Sequence, residues 1–175
     1  MSEENDINAE TRDRREIRDC VLRYCRGVDR RDAVLAKSAY HEDACDDHGH
    51  FIGPAHQFID WLLASHDRSG WAALQHHVTN HFVEIKGNIA QGETYYLFIG
   101  RGADGNVQIH GGRYIDRFEK RAGRWAIADR VCVYEWGLTP ELAAWGLANL
   151  VTGRRDPTDV SYQRPLRVTR AHRQP

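Results

Sequence analysis

The first part of the chain alternates hydrophobic and polar residues with the period of an α-helix. Positions at i, i+4, i+7 and i+11 are apolar, with Arg and Asp between them: Ile17, Val21, Tyr24 and Val28. This spacing predicts an amphipathic helix that begins near Thr11 and ends in the polar run 29–32. Residues 1–11 are acidic and polar, and we expect them to form a flexible leader.

Two further helices are predicted before the pattern changes. The first is short and covers residues 33–39. The second follows the turn at Gly53-Pro54, because proline is favoured at the first position of a helix. One face of this helix carries Phe58, Trp61, Leu62 and Ser65. The polar segment 41–49 between the two helices is compatible with a brief strand.

From His76 onward the hydrophobic period changes to two, which is typical of β-strands. Four strands are predicted, over residues 76–86, 91–101, 107–120 and 124–136. The breaks between them contain Gly, Asn and Asp, as hairpin turns do. Helices followed by hairpin-linked strands predict an α+β fold, in which a curved antiparallel sheet and the N-terminal helices enclose a cone.

The remaining chain is harder to assign. A short helix is predicted over residues 140–150, and the segment after it is rich in Arg and Pro. We therefore divide the chain into a leader (1–11), one domain (12–137) and a C-terminal helix and tail (138–175). The tail is expected either to contact a neighbouring subunit or to be mobile.

Composition narrows the classes of protein that fit. The 175 residues are 41% hydrophobic and 28% charged with a net charge of −1, values typical of one globular domain with no field that attracts nucleic acid or a membrane. The four cysteines form no C-x-x-C pair, which favours reduced thiols. No apolar run approaches the ~18 residues needed to span a bilayer, so we expect a cytoplasmic protein.

Asp29 and His76 are candidates for an acid/base pair. A carboxylate at the C-terminal end of a helix lies in an unfavourable field, and a nearby imidazole would offset that cost. The carboxylate would in turn select the tautomer of the histidine and strengthen it as a base. The alternatives are a solvated Asp29 beside two arginines and a structural histidine. His77 points to the opposite face of the same strand, so only one of the two can enter a cavity.

Strand alternation groups further candidates without saying which face is concave. One set is His76, Val78, Asn80 and Phe82; another is His110, Gly112, Tyr114 and Asp116; a third is Arg130, Cys132, Tyr134 and Trp136. Asn80 could orient His76 or a substrate oxygen.

Metal and nucleotide sites are not expected. The two histidine-containing groups are 46–50 and the set His76, His77 and His81, and neither has a known zinc or iron spacing. No G-x-G-x-x-G loop and no nucleophile elbow is present. We therefore predict no metal and no cofactor.

Several segments together resemble the SnoaL-like branch of the nuclear transport factor 2-like superfamily. They are YCRGVDRRD, HEDACDD, FIGPAHQFIDWL, QHHVTNHFVEIKG, GGRYIDRFEKRAGRWAIADR and VYEW. The resemblance covers about residues 12–136 and implies a cystatin-like cone. It also implies that Asp29 pairs with His76 and that the cavity is lined by Tyr24, His110, Tyr114 and Arg130. The H-x3-N offset of Asn80 favours His76 over His77.

The superfamily that these segments resemble includes dehydratases, dehydrochlorinases, polyketide cyclases and ketosteroid isomerase. It implies a lyase or isomerase that needs no cofactor and acts on a small hydrophobic, cyclic substrate, in a cavity with aromatic and aliphatic walls (Phe58, Trp61, Leu62 and Trp136). The alternatives are a ligand-binding protein without turnover and the small subunit of a ring-hydroxylating dioxygenase. One face of a single curved sheet needs cover, so a homodimer or homotrimer is expected.

Overall fold

A computed structural model describes residues 3–138 and 149–174 of the chain. It has three α-helices, seven strands and one 3-10 turn in these ranges. The helices are α1 (Glu3–Asp29), α2 (Ala33–Lys37) and α3 (Ala55–Arg68). The strands are β1 (Tyr40–Asp47), β2 (Ile52–Pro54), β3 (Trp71–Lys86), β4 (Ile89–Gly102), β5 (Val107–Arg121), β6 (Arg124–Gly137) and β7 (Val151–Thr152). Most of the helix predicted over 140–150 lies outside the described residues.

Helix α1 is longer than the sequence pattern predicts. It already begins at Glu3, so residues 3–11 are helical and do not form the expected flexible leader, and Thr11 lies inside the helix and not at its cap. Glu10 and Arg14 form an ion pair one turn apart, which stabilises an exposed helical turn even without buried residues. The apolar stripe that starts at Ile17 packs against the sheet, with Ile17, Cys20 and Val28 fully buried.

The strands form one curved, open sheet, and the predicted α+β class is confirmed. The strand order is β2-β1-β6-β5-β4-β3, with β7 beside β6. The sheet differs from the prediction because it is mixed: β1 and β7 both run parallel to β6. The pairing of β1 and β6 joins segments more than eighty residues apart, and local periodicity carries no information on such pairing.

Two of the four irregularities in the pairing of the long strands shift the alternation of side chains near the predicted site residues. One lies between Val78 and His81 on β3. The other lies between Gly111 and Gly112, opposite the segment from Tyr134 to Trp136 on β6. An extra residue at a bulge moves every following side chain to the other face. The sets of residues predicted to share one face of a strand are therefore correct only as far as each bulge.

The C-terminal tail lies on the outer face of the chain's own sheet. Leu166 is fully buried against Ile115, Val131 and Val133. Arg113 on β5 makes two hydrogen bonds to Asp159, of 3.1 and 2.8 Å. The described part of the tail thus packs on the outer apolar face of β5 and β6, and its predicted mobility or contact with a neighbouring subunit stays a prediction. The domain boundary near 137 stays a prediction.

No helix in the described ranges is both long enough and apolar enough to cross a membrane. The predicted homodimer or homotrimer and the cytoplasmic location stay predictions.

Candidate active site

A cavity of about 410 Å³ lies between the helices and the concave face of the sheet. Its volume falls within the range of ~300–1,000 Å³ found for small-molecule sites. Helices α1 and α3, the loop after β1 and strands β3 to β6 all contribute to its wall. Five of the ten histidines of the chain line it: His48, His50, His66, His76 and His110. Aromatic and aliphatic side chains form most of the remaining wall: Tyr24, Val28, Phe58, Trp61, Leu62, Trp71, Tyr96, Phe98, Tyr114 and Leu150.

The end of α1 places Asp29 beside the sheet. Arg31 adopts a left-handed conformation with φ of 59°. The amide of Asp32 bonds to the carbonyl of Gly27 at 2.8 Å, and the amide of Arg31 bonds to that of Val28 at 3.3 Å. This is the hydrogen-bond pattern of a Schellman motif, and it ends the helix at Asp29, one residue after Val28, which lies in the cavity wall. Asp29 therefore faces the first long strand.

Asp29 and His76 make two contacts. The ring Nδ1 of His76 lies 2.6 Å from Asp29 Oδ1, and the backbone amide of His76 donates to Asp29 Oδ2 at 2.9 Å. Because β3 is an edge strand of the sheet, this amide is free to bond with α1. The side chains of Asp29 and His76 are only 12% and 9% exposed. Both carboxylate oxygens hold the same residue, so the ring is fixed in place and Nε2 is left as the acceptor that faces the cavity.

Tyr24 and Tyr114 form the floor of the cavity. Both are 1% exposed, and their rings meet edge to face with centroids 5.6 Å apart. Tyr114 also stacks on Tyr96 at 4.6 Å. Burial raises the pKa of each of these tyrosines well above its ordinary value. Their hydroxyl groups are therefore neutral hydrogen-bond donors at physiological pH.

His110 and His66 also line the cavity, close enough to His76 for its charge to affect both. The ring of His110 stacks on Phe98 at 4.6 Å. Its Nδ1 is buried without a hydrogen-bond partner among the described residues, as is Nδ1 of His66. Burial, with a smaller contribution from His76, lowers the pKa of each to about 4. Both are therefore neutral, and their unpaired ring nitrogens are polar atoms in the otherwise apolar surroundings of the cavity.

Seven of the ten predicted site residues lie at the cavity: Tyr24, Asp29, Phe58, Trp61, His76, His110 and Tyr114. Of these, Asp29 lies behind His76, and the other six line the wall.

Arg130, Asn80 and Trp136 do not line the cavity, and the predictions for them need correction. Arg130 is fully buried below the floor, where it donates to both oxygens of Asp116 at 2.7 and 2.8 Å. Its guanidinium lies 4.5 Å from the ring of Tyr24, so it supports the floor. Asn80 is exposed because the bulge on β3 turns it away from the face of His76. Trp136 is 49% exposed and covers Gly111 on the outer face, owing to the bulge on β6.

A second histidine–aspartate pair was not identified as a pair from the sequence. His48 Nδ1 contacts Asp46 Oδ1 directly, and His48 Nε2 lies 3.3 Å from the hydroxyl of Tyr24. The ring of His48 stacks on Phe58 at 4.3 Å. The sequence did offer a signal, because residues 46 and 48 share the same parity at the end of a strand. In the sequence, both residues belong to the group 46–50, which is a candidate metal site. Within 3–138 and 149–174, no three His, Cys, Asp or Glu side chains are grouped closely enough to hold an ion.

Comparison with known proteins places these features in a family. Residues 9–131 match the family model described as SnoaL-like domain. A search of curated proteins finds no match. Among solved structures, the Kfla4162 protein from Kribbella flavida is 21% identical with a TM-score of 0.68, over 78% of this chain and 99% of that one.

Two other solved structures carry the name of an activity. A candidate scytalone dehydratase from Novosphingobium aromaticivorans DSM 12444 is 17% identical with a TM-score of 0.67, over 75% of this chain and 90% of that one. The hexachlorocyclohexane dehydrochlorinase LinA-type3 from Novosphingobium barchaimii LL02 is 21% identical with a TM-score of 0.64, over 74% and 90%. At these identities the likeness establishes a common fold.

Proposed function

The chain belongs to the SnoaL-like domain family of the nuclear transport factor 2-like superfamily, and from this membership and the geometry of the cavity we propose that it is a lyase. The reaction is the elimination of water or a halide from a small hydrophobic, cyclic molecule, with His76 as the general base and no cofactor. The observation that carries the proposal is the buried Asp29–His76 pair, with contacts of 2.6 and 2.9 Å, at the wall of an aromatic cavity.

His76 supplies the base. With its Nδ1–H donated to Asp29, the lone pair of Nε2 accepts a proton from a substrate carbon next to a carbonyl or an incipient double bond. The electron pair of that C–H bond forms the new double bond, and the leaving group departs with the pair of its own bond as hydroxide or halide. Asp29 stabilises the imidazolium that results. Positioned general bases of this kind contribute rate factors of ~10²–10⁴.

Tyr24 supplies the hydrogen bond on the opposite side of the substrate. Its hydroxyl is protonated because burial raises its pKa, and its ring lies 6.3 Å from that of His76 between centroids. A molecule bound against both rings would meet the base at one atom and the hydroxyl at another. Donation to the oxygen or halogen where negative charge develops lowers the barrier to elimination. Return of the proton from His76 to a different carbon would give an isomerisation with the same residues.

The apolar wall strengthens both interactions. Phe58 is fully buried, and Phe98 is 7% exposed; together with Trp61 they exclude water from the faces of the substrate. Electrostatic interactions are stronger in a site of low polarity than in water. Two structures of similar fold carry the names of enzymes that catalyse eliminations, a scytalone dehydratase and a dehydrochlorinase. The proposal for this chain depends on the positions of its own residues.

The test is a turnover screen of hydroxylated cyclic ketones and halogenated cyclohexanes, in which release of water or halide is measured. We expect His76→Gln and Asp29→Asn to reduce any elimination at least 100-fold, a loss of ~3 kcal/mol in transition-state stabilisation. His77→Gln is the matched control, because His77 is the next residue on β3, is exposed and bonds to Gln75. Elimination that survives in both dyad variants, or equal losses in the control, would contradict the proposal.

A further inference from the structure

The second histidine–aspartate pair also lies at the wall of the cavity, where His48, like His76, is close to Tyr24. Asp46 is fully buried and accepts a hydrogen bond of 2.7 Å from the hydroxyl of Tyr40, in addition to its contact with His48. Its carboxylate therefore has two donors and lies behind His48, so that the imidazole separates it from the cavity. The His48 ring lines the cavity and presents Nε2 towards Tyr24.

The surroundings of His48 favour its charged form. Burial lowers the pKa of His48, but the attraction of Asp46 and Cys132 and the hydrogen bonds to both outweigh that effect and raise the pKa to about 10. The other titratable groups that face it are Tyr24, Tyr114, Cys132 and Asp47. Tyr24 and Tyr114 are neutral because burial raises the pKa of each, and Asp47 accepts hydrogen bonds from Arg170 at 3.0 and 3.1 Å. Phe58 covers the face of the ring, and a cation is stabilised there by the π-electrons.

The protonation state of His48 decides where the hydrogen of Tyr24 points. An imidazolium has two N–H groups and no acceptor. With Nδ1–H on Asp46, Nε2–H can donate but cannot accept, and its acceptors are the hydroxyl oxygen of Tyr24, 3.3 Å away, and the sulfur of Cys132. The hydroxyl hydrogen of Tyr24 then needs another acceptor. His48 is its only hydrogen-bond partner among the described residues, so the hydrogen is left to point into the cavity.

We propose that the Asp46–His48 pair turns the hydroxyl of Tyr24 into a donor for an anionic oxygen, and that this part of the cavity binds the oxyanion of a phenolate or an enolate. His48 acts here as a positioning residue that works through Tyr24. The Arg130 guanidinium lies 4.5 Å from the Tyr24 ring, and its own charge is balanced by Asp116, so it contributes by holding that ring in place. The inference rests on the proposed elimination where it assigns the enolate to a reacting substrate: a cyclic ketone whose oxygen becomes negative as His76 removes the adjacent proton.

The loop that carries His48 is held in place by the tail. Gly49 has a positive φ of 74°, and a side chain there would lie 2.7 Å from the backbone nitrogen of Leu150. Arg170 binds Asp47, and Arg173 exchanges two backbone hydrogen bonds of 2.8 Å with Ile52. A loop fixed at both ends keeps the imidazolium aligned with Tyr24, and a preorganised donor of this kind loses little entropy when the ligand binds.

The probe for this site is 4-nitrophenol, whose phenolate is recognised by its absorbance. We expect the protein to bind the phenolate more tightly than the phenol, so that the pKa of the bound ligand is lower than that of the free ligand. His48→Gln keeps a donor but removes the charge, and it should weaken phenolate binding by about 10- to 100-fold, the range for hydrogen bonds that involve a charged group. Phenol binding should change little. His77→Gln is again the control, and nitrogen NMR shifts of His48 in the wild-type protein should be those of an imidazolium at pH 8.

The results separate this inference from the proposed function. His76→Gln should abolish elimination, His48→Gln should weaken phenolate binding, and His77→Gln should change neither. If phenolate binding is unchanged in His48→Gln, or if His48 of the wild-type protein is neutral at pH 7, the inference is wrong whatever the outcome for elimination. If elimination is not found but the phenolate is held through His48, the oxyanion site stands and the lyase proposal fails.

Discussion

Replacement of Arg130 by Met tests whether this arginine supports the cavity floor or binds a ligand. Its guanidinium makes two hydrogen bonds with Asp116, of 2.7 and 2.8 Å, and both side chains are fully buried. It also lies 4.5 Å from the ring of Tyr24 and 4.2 Å from that of Tyr114. Met has a similar reach without charge, so the variant removes the ion pair and leaves most of the packing.

The expected cost is large because Asp116 is left without its partner. Breaking a buried ion pair on one side costs about 3–5 kcal/mol. Loss of the two contacts with aromatic rings adds about 1–2 kcal/mol. We therefore expect Arg130→Met to lower the free energy of unfolding by about 4–7 kcal/mol, a quarter or more of the stability of a typical domain. Arg130→Met combined with Asp116→Asn removes the stranded charge and should recover at least ~2 kcal/mol of this loss.

Urea unfolding followed by tryptophan fluorescence measures these free energies, provided that the dependence on urea concentration is the same in all variants. His77→Gln serves as the surface control and should change stability by less than ~0.5 kcal/mol. A loss below ~1 kcal/mol in Arg130→Met, together with weaker ligand binding, would refute the reasoning. It would return Arg130 to the role in ligand binding that the family resemblance implies.

Three further predictions concern the tail, the sheet and pH. Asp159→Asn should cost about 1.5–3 kcal/mol, since Arg113 would lose its most buried charged partner and keep Glu93 and Glu135, and limited proteolysis should then cleave the tail first. Gly112→Ala should cost about 1–3 kcal/mol by urea unfolding, because its Cβ would lie 2.0 Å from a backbone oxygen. Burial lowers the pKa of His66 and His110 to about 4, so between pH 6.5 and 4 the unfolded chain binds more protons. The free energy of unfolding should fall across that window by up to about 3 kcal/mol per histidine, and His110→Phe should remove its share.

Much of the fold was predictable because its signals are local. The apolar stripe from Ile17 to Val28 and the period of two after His76 follow directly from the geometry of helices and strands. The pairing of Asp29 with His76 was also accessible, because a helix end and a strand start were recognisable and a family pattern linked them. The helical leader was missed because residues 3–11 have no apolar stripe, while helix formation there follows from propensity and continuity with the rest of α1.

The features that could not be predicted depend on contacts between distant segments. The bulges that turn Asn80 and Trp136 outward leave no signature in the sequence. The Arg130 side chain is on the same side of the sheet as Tyr24, but its ion pair with Asp116 on the neighbouring strand holds it below the cavity wall. His48 reaches the cavity because β1 pairs in parallel with β6, and that pairing determines the part of the cavity wall at which it lies.

The most direct test of the central claim, that His76 is a carbon base held by Asp29, is deuterium incorporation in heavy water. A panel of cyclic ketones that bind in the cavity is incubated with the protein, and exchange of the hydrogens next to the carbonyl is followed by mass spectrometry. The account predicts exchange with the wild-type protein and with His77→Gln, and a loss of at least 100-fold in His76→Gln, ~3 kcal/mol in the barrier. Ketones that bind without exchange, or exchange that is equal in His76→Gln, would contradict it.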